Sequence, residues 1–166
     1  AYGVLIRRHS RHRGRNMLEA RDVMTTEVIT TSPEASVTRV AELLDAHRIS
    51  GMPVVDEAGR LIGVITQSDL VQRARDLELP PAINFFDLRI FLETPAGFRH
   101  RLEKMLGSTV KEVMTPDPKT VSPDTPVSQV AALMDRKKVH TLPVMEGGKL
   151  VGIIGKIDLV RALARG

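Results

Sequence analysis

The first half of the chain changes its hydrophobic period from one segment to the next. A β-branched run at 28–31 predicts a short strand, and Ser36 then offers a helix N-cap. Four apolar residues follow at helical spacing: Val37, Val40, Ala41 and Leu44. Two apolar runs around a turn predict a hairpin over 52–66, and a second helix is expected over about 67–77. The predicted order of elements is therefore β-α-β-β-α.

The same pattern occurs a second time further along the chain. Met24 aligns with Met114 at an offset of 90 residues. The turn "DEAGRLIG" then shortens to "EGGKLVG", and Asp69 aligns with Asp158 at an offset of 89. Two copies indicate a duplicated unit rather than a solenoid, which needs at least three repeats. Because neither copy can cover its own small sheet, we expect the two copies to pack together.

The repeat divides the chain into four segments. They are a basic leader at 1–16, a first copy at 17–79, a helical insert at 80–107 and a second copy at 108–166. Thr109 and Glu112 form a capping-box pattern where the second copy begins. Met17 follows the leader, which we interpret as disordered or vector-derived.

Four stretches of the repeat carry a resemblance to a known family. They are "ARDVMTTEVITTSPEASV", "HRISGMPVVDEAGRLIGVITQSDL", "VKEVMTPDPKTVSPDTPV" and "KKVHTLPVMEGGKLVGIIGKIDL". The chain resembles a tandem pair of cystathionine-β-synthase (CBS) domains, together called a Bateman module. The resemblance implies an α+β fold of two pseudo-symmetric β-α-β-β-α units packed through their sheets, with the helical insert between them. It also implies a homodimer and a cleft for an adenosine-containing ligand.

Thr66 and Asp69 have two interpretations, and both stay open. Thr-x-x-Asp between a strand and a helix is a capping-box variant, which satisfies orphan amides at the helix start. The same geometry suits a nucleotide, since a helix N-terminus attracts phosphate and a carboxylate can accept hydrogen bonds from both ribose hydroxyls.

The family's adenosine signature, Gly-h-x-[Thr/Ser]-x-x-Asp with h an apolar residue, assigns candidate site residues. In the first copy it implies Thr66 and Asp69 around ribose and phosphate. The candidate walls for the base there are Thr30, Ile49 and Pro53. In the second copy it implies Asp158, with candidate walls Val121, Val139 and Pro143.

The second copy departs from the signature, because Gly155 stands where Thr66 stood. Glycine contributes no hydroxyl, and an Asp near a helix start can be favoured by the helix dipole alone. Lys156 and His140 are the alternative phosphate contacts, although a histidine before a strand is also typical of packing. The two sites are therefore not expected to be equivalent.

Composition narrows the cellular setting. The chain has no cysteine, which excludes disulfides and thiol catalysis and fits a reducing cytoplasmic location. No apolar run approaches the roughly 20 residues that span a bilayer, so no membrane role is expected. The net charge is +4, and the leader alone holds five arginines without an acid. A nucleic-acid role would therefore depend on 1–16, and it is not the preferred interpretation.

We predict a regulatory sensor and not an enzyme. The chain lacks HExxH, P-loop, nucleophile-elbow and Gly-x-Gly-x-x-Gly patterns, so neither a catalytic cofactor nor a metal is expected. The predicted ligand is AMP, ADP or ATP rather than S-adenosylmethionine, because Thr66 at a helix start suits phosphate better than sulfonium. The effector protein is unknown. The alternative is a constitutive dimerisation scaffold without a nucleotide.

The insert contains every phenylalanine of the chain. These are Phe85, Phe86, Phe91 and Phe98. They can pack on the module itself or form an oligomer interface, where aromatic side chains are enriched.

Overall fold

The computed structural model describes residues 17–76, 104 and 107–165. Predictions for the leader, and for all of the insert except Lys104 and Gly107, lie outside these residues. The first copy contains α1 (Ala20–Val23), α2 (Val37–His47), β1 (Gly51–Val55), β2 (Leu61–Thr66) and α3 (Gln67–Asp76). The second contains α4 (Val110–Val113), β3 (Thr115–Pro116), α5 (Val127–Lys137), β4 (Thr141–Glu146), β5 (Lys149–Gly155) and α6 (Lys156–Arg165). These elements confirm the α+β fold and the duplication.

Helix α2 forms where the periodicity predicts it. The Ser36 side chain accepts a hydrogen bond from the Arg39 backbone N–H at 3.1 Å, which confirms the predicted N-cap. The helix ends at Arg48, whose left-handed backbone (φ 51) donates its N–H back to the last turn. Its buried residues are the four predicted ones, Val37, Val40, Ala41 and Leu44.

The strand predicted at 28–31 is wrong in extent. Within this run only Thr31 forms a β-bridge, which is parallel to Val54 in β1. Local turns flank the bridge on both sides: the Val28 N–H donates to the Thr26 carbonyl at 3.0 Å, and the Ala35 N–H donates to the Ser32 carbonyl at 3.2 Å. The second copy repeats the arrangement, with a single bridge in place of the strand.

In each copy, a leading segment that precedes the first long helix (residues 17–36 or 108–126) contacts the sheet of the other copy. Strand β3 follows the insert, yet it pairs antiparallel with β2 of the first copy. In the opposite direction, Thr25 bridges Ile153 in β5, with N–O distances of 2.9 and 3.0 Å. The sheets of the two copies are therefore joined twice by exchanged segments.

The hydrophobic cores show the same exchange. Val110 begins α4 and is fully buried in the core of the first copy, beside residues of α2, β1 and β2. Ala20 begins α1 and is fully buried in the core of the second copy. Each core is thus completed by the other copy, which explains why the repeat occurs as a pair.

Two glycines allow the exchanged segments to approach closely. A Cβ atom on Gly63 would lie 2.6 Å from Sδ of Met114 and 3.0 Å from the Thr115 carbonyl oxygen. A Cβ atom on Gly152 would lie 2.5 Å from Sδ of Met24. The glycines are needed here because a methionine of the other copy occupies the space of a side chain.

The predicted capping box of Thr109 and Glu112 is present at α4. The Thr109 backbone N–H donates to Oε2 of Glu112 at 2.6 Å, and the Thr109 hydroxyl donates to the same oxygen at 3.2 Å. These hydrogen bonds hold the pKa of the Glu112 carboxyl below its ordinary value, with a further contribution from the Arg73 charge. The cap therefore stabilises the fold most when Glu112 is ionised.

We expect Glu112→Gln to lower the melting temperature at neutral pH and to lose this effect in acid. The stabilisation from a depressed carboxyl pKa is fully present above the ordinary glutamate pKa of about 4.3, and it disappears as the pH falls through the folded-state pKa. Thermal melts of both proteins from pH 7 down to about pH 3.5 provide the measurement. A difference in melting temperature that stays constant over this range would contradict the expectation.

Candidate ligand-binding clefts

Two clefts lie at the junctions between a hairpin and its following helix. The first cleft is at the end of β2 and the start of α3, and its volume is about 330 Å³. The second cleft is at the end of β5 and the start of α6, and its volume is about 780 Å³. Both volumes fall in the range of roughly 300–1,000 Å³ that is typical of small-molecule sites.

Each cleft is built by both copies. Asp69 lines the first cleft, opposite residues 137–142 of the second copy. Asp158 lines the second cleft, opposite residues 47–51 of the first copy. A ligand that touches either carboxylate would therefore bridge the two copies.

Because each cleft is built by both copies, the candidate residues of one copy do not all line the same cleft, which corrects the predicted grouping. Ile49 lines the second cleft with Asp158, and Val139 lines the first cleft with Asp69. The predicted walls Thr30, Pro53, Val121 and Pro143 line neither cleft. Pro53, Val121 and Pro143 are buried in or beside the sheets, and the Thr30 side chain is exposed.

Thr66 and Asp69 form the reciprocal contacts of a capping box. Oδ2 of Asp69 accepts the Thr66 backbone N–H at 2.8 Å and the Thr66 hydroxyl at 3.0 Å. The Asp69 backbone N–H donates to the Thr66 hydroxyl at 3.3 Å. Oδ1 of Asp69 accepts the Thr115 hydroxyl at 3.2 Å, which is a rotatable donor that a ligand hydroxyl could replace. The cap is confirmed, and it holds the carboxylate at the wall of the cleft.

Asp158 caps its helix without a hydroxyl partner. Its Oδ2 accepts the Gly155 backbone N–H at 2.7 Å. Its Oδ1 lies 3.7 Å from Nη1 of Arg161, and the Asp158 side chain is 13% exposed. A backbone N–H is enough for this cap, so the loss of threonine does not release the aspartate.

The two clefts meet at the start of β4. Among the residues that line the clefts, His140 and Thr141 belong to both. The Lys156 N–H donates to the His140 carbonyl at 3.1 Å within the second copy, and the Thr141 hydroxyl lies 3.3 Å from the Ser50 hydroxyl of the first copy. The His140 side chain is therefore placed where it can contact a ligand in either cleft.

Cationic side chains surround both clefts. The first cleft has Lys119, Lys137 and Lys138. The second has Arg48, Lys156 and Arg161. Of these residues, the sequence predicted only Lys156. The three lysines of the first cleft and Arg48 belong to the copy opposite the aspartate, and Arg161 lies one turn beyond Asp158 in α6. Lys138 also contacts Asp135 at 3.3 Å, but both side chains are more than 80% exposed, so this pair contributes little stability.

The described residues contain neither a metal-type cluster nor a membrane-spanning helix. Within 17–76, 104 and 107–165, no three His, Asp or Glu side chains are grouped as a metal site would require. No helix in these ranges has the length and apolarity to cross a membrane.

Comparison with known proteins identifies the family. The family model for the CBS domain matches residues 20–76 and 110–165. The chain belongs to the CBS domain family. Its two matches make it a CBS pair, as the sequence signatures indicated, and the solved structures that it resembles are also CBS domain pairs.

Relatives of this CBS pair differ in length. The uncharacterised protein MJ1426 of Methanocaldococcus jannaschii is 31% identical over 132 residues, which cover 75% of this chain and 79% of the relative. The chloroplastic protein CBSX2 of Arabidopsis thaliana is 31% identical over 137 residues, but they cover 78% of this chain and only 56% of that protein. The chain thus spans little more than half of its plant relative.

Two solved structures resemble the CBS pair along almost its whole length. CBSX2 in complex with AMP has a TM-score of 0.65 at 28% identity, covering 89% of this chain and 96% of that one. The CBS pair of protein MJ0100, in complex with 5′-methylthioadenosine and S-adenosyl-L-methionine, has a TM-score of 0.67 at 25% identity, covering 90% and 98%.

Proposed function

We propose that this CBS pair is a regulatory module that binds an adenosine nucleotide in the first cleft, with Asp69 on the ribose. The observation that carries the proposal is the cross-copy construction of this cleft. A carboxylate of the first copy faces a lysine-rich wall of the second across a space of about 330 Å³. A small ligand with a hydroxylated end and an anionic end fits this distribution of charge.

The polar groups of the cleft suit the parts of a nucleotide. Oδ1 of Asp69 can exchange the Thr115 hydroxyl for a ribose hydroxyl, while Oδ2 keeps the helix cap. Lys119 and Lys137 can neutralise a phosphate, which the start of α3 also attracts. Val139, which is partly exposed, offers apolar surface to the base.

Regulation follows from the cross-copy construction. A ligand that contacts both copies binds more tightly to the arrangement that holds both walls in place, so its occupancy shifts the population toward that arrangement. This difference in affinity is what a sensor passes to a partner protein. The proposal includes no chemical reaction.

The related structures support the ligand class. AMP in CBSX2, and 5′-methylthioadenosine with S-adenosylmethionine in MJ0100, share the adenosine group. The lysines of the first cleft favour the phosphorylated member of this set.

A thermal-shift panel tests the proposal. The compounds are AMP, ADP, ATP, 5′-methylthioadenosine and S-adenosylmethionine, with guanosine monophosphate as the control. A ligand at 100 times its Kd adds about 2.7 kcal/mol of stability. Each kcal/mol moves Tm by roughly 2–4 °C at this size. If no adenosine compound raises Tm and none co-purifies with the protein, the scaffold alternative is favoured.

Asp69→Ala is expected to weaken AMP binding at least tenfold. The variant loses the charge-assisted hydrogen bonds to the ribose, which contribute roughly 1.5–3 kcal/mol each. Isothermal titration calorimetry measures the change in Kd. Glu112→Ala is the matched control, because it removes an equivalent capping box from α4 without touching a cleft. Equal AMP affinity in Asp69→Ala and the parent protein would refute the site assignment.

A further inference from the structure

Gly155 is a glycine that neither packing nor backbone geometry requires. A Cβ atom there would lie 3.5 Å from Oδ2 of Asp158 and 3.9 Å from the Ser50 hydroxyl, which are ordinary contacts. Its φ lies outside the left-handed region that favours glycine. Gly51 contrasts with it, since a Cβ there would meet Thr66 Cγ2 at 2.8 Å. The fold could therefore accept a side chain at 155, and the space left open belongs to the second cleft.

Two further positions of the second cleft change in the same direction. Ile157 aligns with Ser68, and Ile29 aligns with Lys119. At these two positions and at Gly155, which replaces Thr66, the second cleft lacks two hydroxyls and one ammonium group that the first cleft has. In their place it has open space and two alkyl side chains.

The lining of the second cleft is correspondingly aliphatic. It includes Ile29, Ile49, Ile153, Ile157 and Val160. Ile157 is 56% exposed and Val160 is 57% exposed. A ligand group that covers them would remove apolar surface from water, which favours binding. The volume, about 780 Å³ against 330 Å³, leaves room for such a group.

The cations of the second cleft stand at other positions than the groups it lacks, since Lys156 replaces Gln67 and Arg161 replaces Gln72. Arg161 lies 3.7 Å from the Asp158 carboxylate and is directed to that acid. Arg48 aligns with Lys138, so the charge at this position is unchanged, and neither Arg48 nor Lys156 stands at the Thr66 or Lys119 position. These cations would repel a positively charged substituent such as a sulfonium, so among adenosine compounds with an apolar 5′ group a neutral one fits best.

We propose that the second cleft selects an adenosine compound with a neutral apolar 5′ substituent, and that Gly155, Ile157 and Ile29 set this preference. The inference rests on the proposed adenosine-binding function. It assigns the two clefts to different ligands: a 5′-phosphate in the first, and a 5′-alkyl or 5′-thioether adenosine in the second. The CBS pair would then respond to two kinds of metabolite.

Two variants that each disable one cleft, called single-cleft proteins, test the predicted difference in ligand preference. Asp69→Ala leaves the second cleft intact, and Asp158→Ala leaves the first. Calorimetric titration of each with AMP and 5′-methylthioadenosine gives an affinity ratio for each cleft. We expect the thioether to bind at least tenfold tighter than AMP in the Asp69→Ala protein, and the order to reverse in the Asp158→Ala protein.

Exchanging the differing residues tests their role. Gly155→Thr with Ile157→Ser, added to Asp69→Ala, is expected to move the ratio at least tenfold toward AMP. Because a side chain fits at 155, the melting temperature without ligand should change little. Gly155→Ser alone is the milder variant if the double substitution impairs folding, and it should move the ratio in the same direction.

The outcomes separate this inference from the proposed function. If AMP binding depends on Asp69 but both clefts show the same ratio of thioether to AMP affinity, only the inference is overturned. The same holds if the ratio does not respond to the substitutions at 155 and 157. Absence of binding by either compound in the parent protein and in both single-cleft proteins overturns the proposed function as well.

Discussion

Val110→Asp is expected to destabilise the core of the first copy, although Val110 stands at the start of the second. Val110 is fully buried, and its backbone N–H donates to the Ala35 carbonyl at 2.8 Å. A carboxylate at this position would be buried without a partner, which costs roughly 3–5 kcal/mol. That is a large part of the 5–15 kcal/mol typical of a folded domain.

Native-state hydrogen exchange identifies which core is affected. We expect protection to fall first in β1 and β2, which pack on Val110, and later in β4 and β5. Lys111→Asp is the matched control, because Lys111 is the next residue of the same short helix and its side chain is exposed. Selective loss of protection in β4 and β5 would show that Val110 supports the second core instead.

Gly63→Ala is expected to destabilise the protein by about 1–3 kcal/mol, the usual range for overpacking. The added methyl would lie 2.6 Å from Sδ of Met114 and 3.0 Å from the Thr115 carbonyl oxygen. The sulfur can move, but the carbonyl belongs to the backbone of β3. The strain therefore falls on the pairing between β2 and the exchanged strand.

Gly155→Ala provides the comparison for this substitution. It makes the same chemical change near the end of a strand, where the nearest atom to the new methyl is 3.5 Å away. Urea denaturation of both variants without ligand gives the two changes in the free energy of unfolding. Gly155→Ala should differ from the parent by less than about 0.5 kcal/mol, the usual limit for uncrowded substitutions. Equal destabilisation by the two substitutions would mean that Met114 does not occupy the space beside Gly63.

The sequence predicted those elements whose signals are local. Helix α2 has a cap at Ser36 and four apolar residues on one face, and the structure places both as expected. The hairpin predicted at 52–66 forms as β1 and β2. The strand at 28–31 was overpredicted, because β-branched residues indicate an extended chain but not how long the neighbouring strand stays within reach.

The exchange between copies could not be read from local patterns. Val110 and Ala20 are apolar residues at the start of short helices, and nothing in their spacing says which core they enter. The carboxylates of the clefts were visible because a motif surrounds them. The residues of the opposite walls could not be predicted in this way. Ile49 lies only twenty residues before Asp69 in the same copy, yet it lines the cleft of Asp158.

The crossed leading segments have the geometry of a domain-swapped dimer whose two subunits have been joined end to end. In separate chains, such a swap depends on the protein concentration, because each subunit must meet another before its core is complete. Covalent connection makes the encounter intramolecular and sets a fixed, high effective concentration. Both clefts can therefore assemble in a single molecule, however dilute the protein is.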